Sequence, residues 1–279
     1  TTHMSAPGLN GLTGNRIEFR QVQGRRVVRR HWSSVARESW LGASRDAELA
    51  AHRVGSRFGI APQITAVDLA ARWMEIEWLK GVPIVLDELA TSSSRSMLWT
   101  LLDQLRRLDA SDVPRLDVSS RIAELLHRLS RIDSTACLIW RSQWLALRAR
   151  SEEHAAEEGV ASPFSRCLVH GDLHSGNVLH GPGERFVCID WEYAHAGHPL
   201  EDLAGLLNAS SVLQAEWQTA QHVTAQRPDW WPETVFDALG CRGHADRVRR
   251  LGWWIEARGI LDGVWMALAS HSAGNAPDA

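Results

Sequence analysis

Lysine is nearly missing from this chain: Lys80 is the only one in 279 residues, and almost every cation is an arginine. Tyrosine occurs once, as Tyr193, against 14 tryptophans. The four cysteines, Cys137, Cys167, Cys188 and Cys241, have no CxxC or zinc-ribbon spacing, so the usual signature of a structural zinc site is lacking. Cys167 and Cys188 sit inside the apolar runs CLVH and FVCID, where a buried thiol acts as a small hydrophobe. A reducing, cytoplasmic setting fits that usage. No run approaches the roughly 20 apolar residues that span a bilayer, and no apolar leader core follows the start. Residues 1–3, ahead of Met4, read as an addition left by cloning. A formal charge of -3 gives no general basic field, so neither nucleic acid nor a membrane is an expected partner. Internal repeats are also lacking, and nothing in the sequence fixes an oligomeric state.

What is present is an ordinary globular composition, 44% hydrophobic and 23% charged, sufficient for a large core. Residues 16–22 and 25–31 alternate like strands and meet at Gln23-Gly24, a hairpin signal. Residues 38–59 have helical character, and 62–69 and 72–78 read as two further strands. Lys80-Gly81-Val82-Pro83 punctuates the chain and suggests a boundary between an N-terminal lobe over 8–81 and a C-terminal lobe over 82–272, with tails at 1–7 and 273–279. Beyond it, 94–108, 119–132 and 139–158 carry apolar residues at spacings of three and four. A β island follows at 167–169, 178–180 and 186–189, and Pro199 is placed as the first residue of a new helix with Glu201 and Asp202 in its first turn. Strands first and helices after, with a β island in the helical half, predict an α+β bilobal protein.

The chemistry concentrates in Leu168-Val169-His170-Gly171-Asp172-Leu173-His174-Ser175-Gly176-Asn177 and in Val187-Cys188-Ile189-Asp190-Trp191-Glu192. Phosphoryl transfer to an alcohol requires a carboxylate for the hydroxyl proton, oxygen ligands for Mg²⁺ and a cation on the phosphates. Asp172 and Asn177 stand at the Asp-x4-Asn spacing of a kinase catalytic loop, and Asp190 ends an apolar strand downstream. A short hairpin would carry Asn177 and Asp190 to neighbouring strand ends.

These two segments, followed by Glu201-Asp202-Leu203-Ala204, resemble the aminoglycoside phosphotransferase and choline/ethanolamine/thiamine kinase superfamily, whose fold is protein-kinase-like. The resemblance implies Asp172 as catalytic base, Asn177 and Asp190 as Mg²⁺ ligands, Asp202 as a buried brace of the catalytic loop and His170 as a packing residue. It implies ATP or GTP as phosphate donor and a small-molecule alcohol as acceptor. More weakly, Gly11, Thr13 and Gly14 look like the short loop over the phosphates. Arg29 resembles the phosphate-binding cation, with Glu48 as its helical ion-pair partner, an exchange for lysine that the planar guanidinium fork makes reasonable. The segment holding Glu77 and Leu79 looks like the hinge that meets the adenine.

For the acceptor, Trp191-Glu192-Tyr193-Ala194 resembles the choline, ethanolamine and thiamine branch. Trp254 and Trp265 can share one helical face, and aromatic faces attract quaternary ammonium and thiazolium groups. Glu192 and Glu256 would add acidic character. These residues suggest a cationic acceptor, with thiamine placed first, choline or ethanolamine next, and an aminoglycoside or sugar as a further alternative. Two other classes are weighed. A zinc hydrolase built on His170, Asp172 and His174 would leave Asn177 and Asp190 unexplained. A non-catalytic nucleotide-binding pseudokinase would have lost its base or a metal ligand, and here all are present.

Overall fold

The computed structural model describes residues 15–33, 42–84, 92–155, 167–181, 183, 185–222, 236 and 243–272. Alternation along the first of these segments builds a hairpin. β1 (Arg16–Val22) and β2 (Arg25–His31) pair antiparallel, with Arg16 opposite His31 and Val22 opposite Arg25. The turn residues Gln23 and Gly24 have φ of 49° and 78°, the doubly left-handed geometry whose twist suits a two-residue connection. β3 (Ile64–Asp68) and β4 (Trp73–Glu77) complete an antiparallel sheet in the order β1-β2-β4-β3. Strand pairing places Ile17, Phe19, Val28, Arg30, Met74 and Ile76 on one face, towards a cleft. Glu18, Arg29 and Glu75 point to the other. The helix α1 (Arg45–Arg57) starts at Ser44, whose hydroxyl accepts from Ala47 N, a cap that satisfies one otherwise orphaned amide. Its Leu49 packs with Trp32 and Met74.

Exposed Lys80 joins this sheet to β5 (Val82–Pro83), which already pairs with a strand of the C-terminal half. Next come α2 (Ser92–Arg107), α3 (Val118–Ser130) and α4 (Ser134–Ala155). The last begins earlier than periodicity alone suggests, because the Asp133 carboxylate accepts from Ala136 N at 2.8 Å and opens the helix there. The β island consists of β6 (Cys167–Val169), β7 (Val178–Gly181), β8 (Arg185–Cys188) and β9 (His195–Gly197), paired as β5-β7-β8 and β6-β9. Helices α5 (Leu200–Ala209), α6 (Ser211–His222) and α7 (Gly243–Ser272) close the chain. Pro199 precedes α5 as its cap position, with φ of -65°, and Leu200 is the first helical residue.

Two buried clusters support this half. One joins α2, the β island and α5 through Leu98, Leu101, Phe186, Trp191, Leu203 and Leu206. The other joins α3, α4 and α7 through Ile122, Leu125, Trp144, Leu147, Val264 and Leu268. α7 touches both, through Leu251 in the first and Val264 in the second. Cys137, Cys167 and Cys188 are buried free thiols. Among the described residues no helix is long and apolar enough to cross a membrane. The whole is the α+β bilobal arrangement that the order of elements predicts.

Candidate active site

β6 delivers His170, Gly171 and Asp172 to the cleft floor, and three neighbours fix how they arrive. Asp202, in the first turn of α5, accepts His170 N at 2.8 Å and Gly171 N at 2.9 Å. Burial pushes its carboxyl up, opposed by His170 and by those two amides. His170 Nε2 faces the carbonyl of Ile189 at 2.9 Å, while its Nδ1 receives Asp172 N at 3.3 Å. One ring nitrogen therefore donates and the other accepts, which defines a neutral imidazole, and burial lowers its proton affinity in the same sense. Gly171 has φ of 79°, and a Cβ there would lie 2.3 Å from the backbone oxygen of Tyr193. Only glycine fits.

The chain then makes a 3₁₀ turn (Ser175–Asn177) that brings Asn177 back to Asp172. Asn177 Nδ2 donates to the Asp172 carbonyl at 2.9 Å and to its Oδ2 at 3.0 Å. The Asp172 side chain is 30% exposed, with His174 Nε2 at 3.5 Å and Arg258 Nη2 at 3.8 Å. Burial alone would raise its carboxyl, but the hydrogen bond and charge of His174, then Arg258, bring it below the usual range. Asp172 is thus held ionised in a half-enclosed site, the state a proton acceptor needs.

Across the β7–β8 hairpin, Ile189 N donates to Asn177 O at 2.9 Å, so Asn177 and Asp190 stand at adjoining strand ends. Asp190 adopts φ of 63°, a left-handed conformation that aspartate and asparagine adopt more readily than other non-glycine residues. An amide and a carboxylate are hard oxygen donors, and such a pair suits Mg²⁺, which binds through one or two carboxylates plus water and substrate phosphates. Opposite them Arg30 spans three acids. Its Nη1 is 2.7 Å from Asp190 Oδ1, its Nη2 2.5 Å from Glu192 Oε2 and its Nε 3.0 Å from Glu48 Oε1. Asn15 Nδ2 also donates to Glu192, and Trp32 Nε1 to Glu48.

Strand alternation corrects the sequence reading here. The expected ion pair between Arg29 and Glu48 is not formed: Arg29 points to the outer sheet face, paired with Glu75 at 2.8 Å and stacked 3.7 Å over Trp73. Arg30, one residue on, points into the cleft and takes Glu48. Among four neighbouring arginines the sequence offered no way to choose, because Val27 and Val28 give each parity of the strand an apolar residue.

The cleft has a volume of about 840 Å³, and Glu77, Leu79, Tyr193 and Trp265 are among the residues that line it. Three expected acceptor residues lie elsewhere. Trp191 is fully buried, donating to Cys188 O at 3.1 Å and packed against His170. Trp254 stacks on His198 away from the cleft, with ring centroids 4.9 Å apart. Glu256 is on the surface, paired with Arg150 at 2.5 Å. Glu192 does line the cleft, held by Arg30 and Asn15. Trp265 lines it as well, its Nε1 donating to the Tyr193 hydroxyl at 2.9 Å with the rings edge to face. Asp262 joins them, one turn before Trp265 on α7. Tyr193 was quoted within Trp191–Ala194 but not singled out as a site residue, and Arg258 and Asp262 were missed because they belong to neither motif. Only the helical spacing of 258, 262 and 265 marks the last two. Gly11, Thr13 and Gly14 lie outside the described residues.

Residues 7–233 match the model of the phosphotransferase enzyme family. No curated protein matches the sequence. Among solved structures, a choline/ethanolamine kinase family protein from Mesorhizobium loti superposes with a TM-score of 0.63 at 20% identity, covering 98% of this chain and 83% of that one. The ethanolamine kinase of Plasmodium vivax gives 0.69 at 16% identity, with 97% and 78% covered. An aminoglycoside phosphotransferase in ternary complex with ADP and hygromycin B gives 0.54 at 19% identity, with 95% and 93% covered. At these identities the likeness establishes a protein-kinase-like fold.

Proposed function

The chain belongs to the phosphotransferase enzyme family, and from that premise we propose that it transfers the γ-phosphate of ATP to the hydroxyl of a small cationic alcohol. The observation that carries this reading is the meeting of Asp172, Asn177 and Asp190 at one cleft floor, with the Arg30 guanidinium facing them. Asp172 takes the hydroxyl proton as the acceptor oxygen bonds to the γ-phosphorus. The β–γ bridging bond breaks and ADP leaves with its electron pair. Asn177 and Asp190 are the residues that would hold Mg²⁺, which would supply positive charge to offset that of the phosphates. Arg30, braced by Glu48, serves as the phosphate cation. The lining with Glu77 and Leu79 receives the nucleobase.

The acceptor end supports a cation. Tyr193 and Trp265 present an aromatic corner, and Asp262 adds a carboxylate beside it, a combination that binds ammonium and thiazolium groups. Thiamine meets it with a thiazolium ring and a primary hydroxyl. Choline and ethanolamine meet it with an amine and a hydroxyl close together, and the kinases of similar fold named above favour them. An aminoglycoside or sugar acceptor needs more carboxylates than this corner offers.

The test is ADP release with Mg-ATP against thiamine, choline, ethanolamine, aminoglycosides and sugars. Turnover with one of the cations, lowered about 10²–10⁴-fold in Asp172→Asn while nucleotide binding persists, is the expected result. Near-normal turnover in Asp172→Asn removes it as base, and turnover confined to neutral sugars removes the cationic acceptor.

A further inference from the structure

Gly171 and Asp172 share one peptide plane, and both polar ends of that plane are held by side chains. The Asp172 amide donates to His170 Nδ1 at 3.3 Å. The Gly171 carbonyl accepts Nη1 of Arg258, on α7, at 2.6 Å. Arg258 is buried, only 8% exposed. Its Nε donates to Asp262 Oδ1, one helical turn further on, at 2.7 Å, and its Nη2 stands 3.8 Å from Asp172 Oδ1. A buried guanidinium is costly unless its hydrogen bonds are made. Here they are made to the backbone oxygen just before the candidate base and to the carboxylate that sets the plane of the fork. A guanidinium is rigid and planar, so fixing Nε on Asp262 fixes the direction in which Nη1 meets Gly171. Neither catalytic segment contains Arg258, and it lies beyond residue 233, where the family match ends.

We infer that Arg258, oriented by Asp262, is a positioning residue that fixes the Gly171–Asp172 peptide and thereby aims the Asp172 carboxylate at the acceptor hydroxyl. This rests on Asp172 being the base. Lysine at 258 keeps the charge and loses the fork, so it can meet Gly171 or Asp262 but cannot set the plane between them. In the double variant Arg258→Gln/Asp262→Asn neither partner is left as an orphaned buried charge, which guards against simple misfolding.

Both variants are compared with the wild type and Asp172→Asn by steady-state kinetics, and by hydrogen exchange of peptides covering residues 168–178. Positioning predicts kcat lowered by about 10–100-fold, as a displacement on the order of 1 Å at a reacting group produces. The KM for Mg-ATP stays within about twofold, and amide exchange in 168–178 quickens with other segments unchanged. The proposal is overturned if kcat and exchange in both variants match the wild type. It is equally overturned if kcat, nucleotide KM and melting temperature all deteriorate together, the mark of a merely structural residue. The two failures are distinguishable: an inactive Asp172→Asn beside a fully active Arg258→Lys sinks the positioning role alone, whereas an active Asp172→Asn sinks the base and the positioning role with it.

Discussion

Arg30 concentrates more charge than any other single position described in the cleft, since three carboxylates close on one guanidinium. Removing it leaves Glu48 and Glu192, both buried, facing each other and Asp190 without their shared cation. Breaking a buried ion pair from one side costs roughly 3–5 kcal/mol. Arg30→Ala is therefore expected to lower unfolding stability on that scale and to abolish nucleotide binding. Arg29→Ala loses a part-buried pair on the outer sheet face, where Arg20 still holds Glu75, and is expected to leave nucleotide affinity nearly unchanged. Parallel denaturant melts and nucleotide titrations of the two variants decide it. If Arg29→Ala is the one that loses nucleotide, the assignment of the cleft cation by strand parity is wrong. The same contrast shows what the sequence could and could not convey at this scale. Asp172, Asn177 and Asp190 were legible because the order and spacing of two motifs carry them together. Arg29 and Arg30 were not separable, since choosing between adjacent residues of a strand requires the face of the sheet, and only pairing supplies that.

At the scale of elements, α7 binds the C-terminal lobe together by close approach to α4. Gly263 makes this possible: a Cβ at that position would fall 2.2 Å from the ring of Trp140. Gly to Ala inside a helix normally gains about 0.5–1 kcal/mol, but here the added methyl must displace a tryptophan, and overpacking costs about 1–3 kcal/mol. Gly263→Ala is thus expected to lower the melting temperature by several degrees. A raised melting temperature would show that Trp140 can move aside freely. Most elements were readable because their apolar periods run over seven or more residues, as in β1, β2, α2 and α3. β5 and β9, two and three residues long, are too short for alternation to register, and β6, also three, was legible only as an apolar run ahead of His170. Trp254 and Glu256 illustrate the remaining gap: spacing along a helix says which side chains share a face, but not whether that face meets the cleft, the core or solvent.

For the molecule as a whole, two histidines of lowered proton affinity contribute to the response to acid. His52, 2% exposed, has its proton affinity pushed down to about 4, chiefly by burial and against the hydrogen bond to the Pro62 carbonyl. His198 is lowered to about 4 by burial too. For such groups the unfolded chain takes up protons below about pH 6.5 that the native state refuses, so native stability falls as pH drops from 6.5 towards 4. His195, raised by Glu201 against its burial, works in the opposite sense. His52→Gln, which keeps a donor for Pro62, is expected to flatten the slope of unfolding free energy between pH 6 and 5 by about 1 kcal/mol per pH unit. Denaturant unfolding at several pH values measures this, and equal slopes in the two proteins would exclude His52 as a source.

Lys80 gives this molecule a practical property. It is the one side-chain amine in the sequence, it is exposed, and it follows Leu79 of the cleft lining, where the two halves meet. An amine-directed fluorophore applied to the folded protein has a single side chain to modify; the α-amine of the chain reacts as well, so the species labelled at Lys80 is separated before use. The dye would sit where nucleotide entry changes the local environment, and its emission would follow the cleft as it fills.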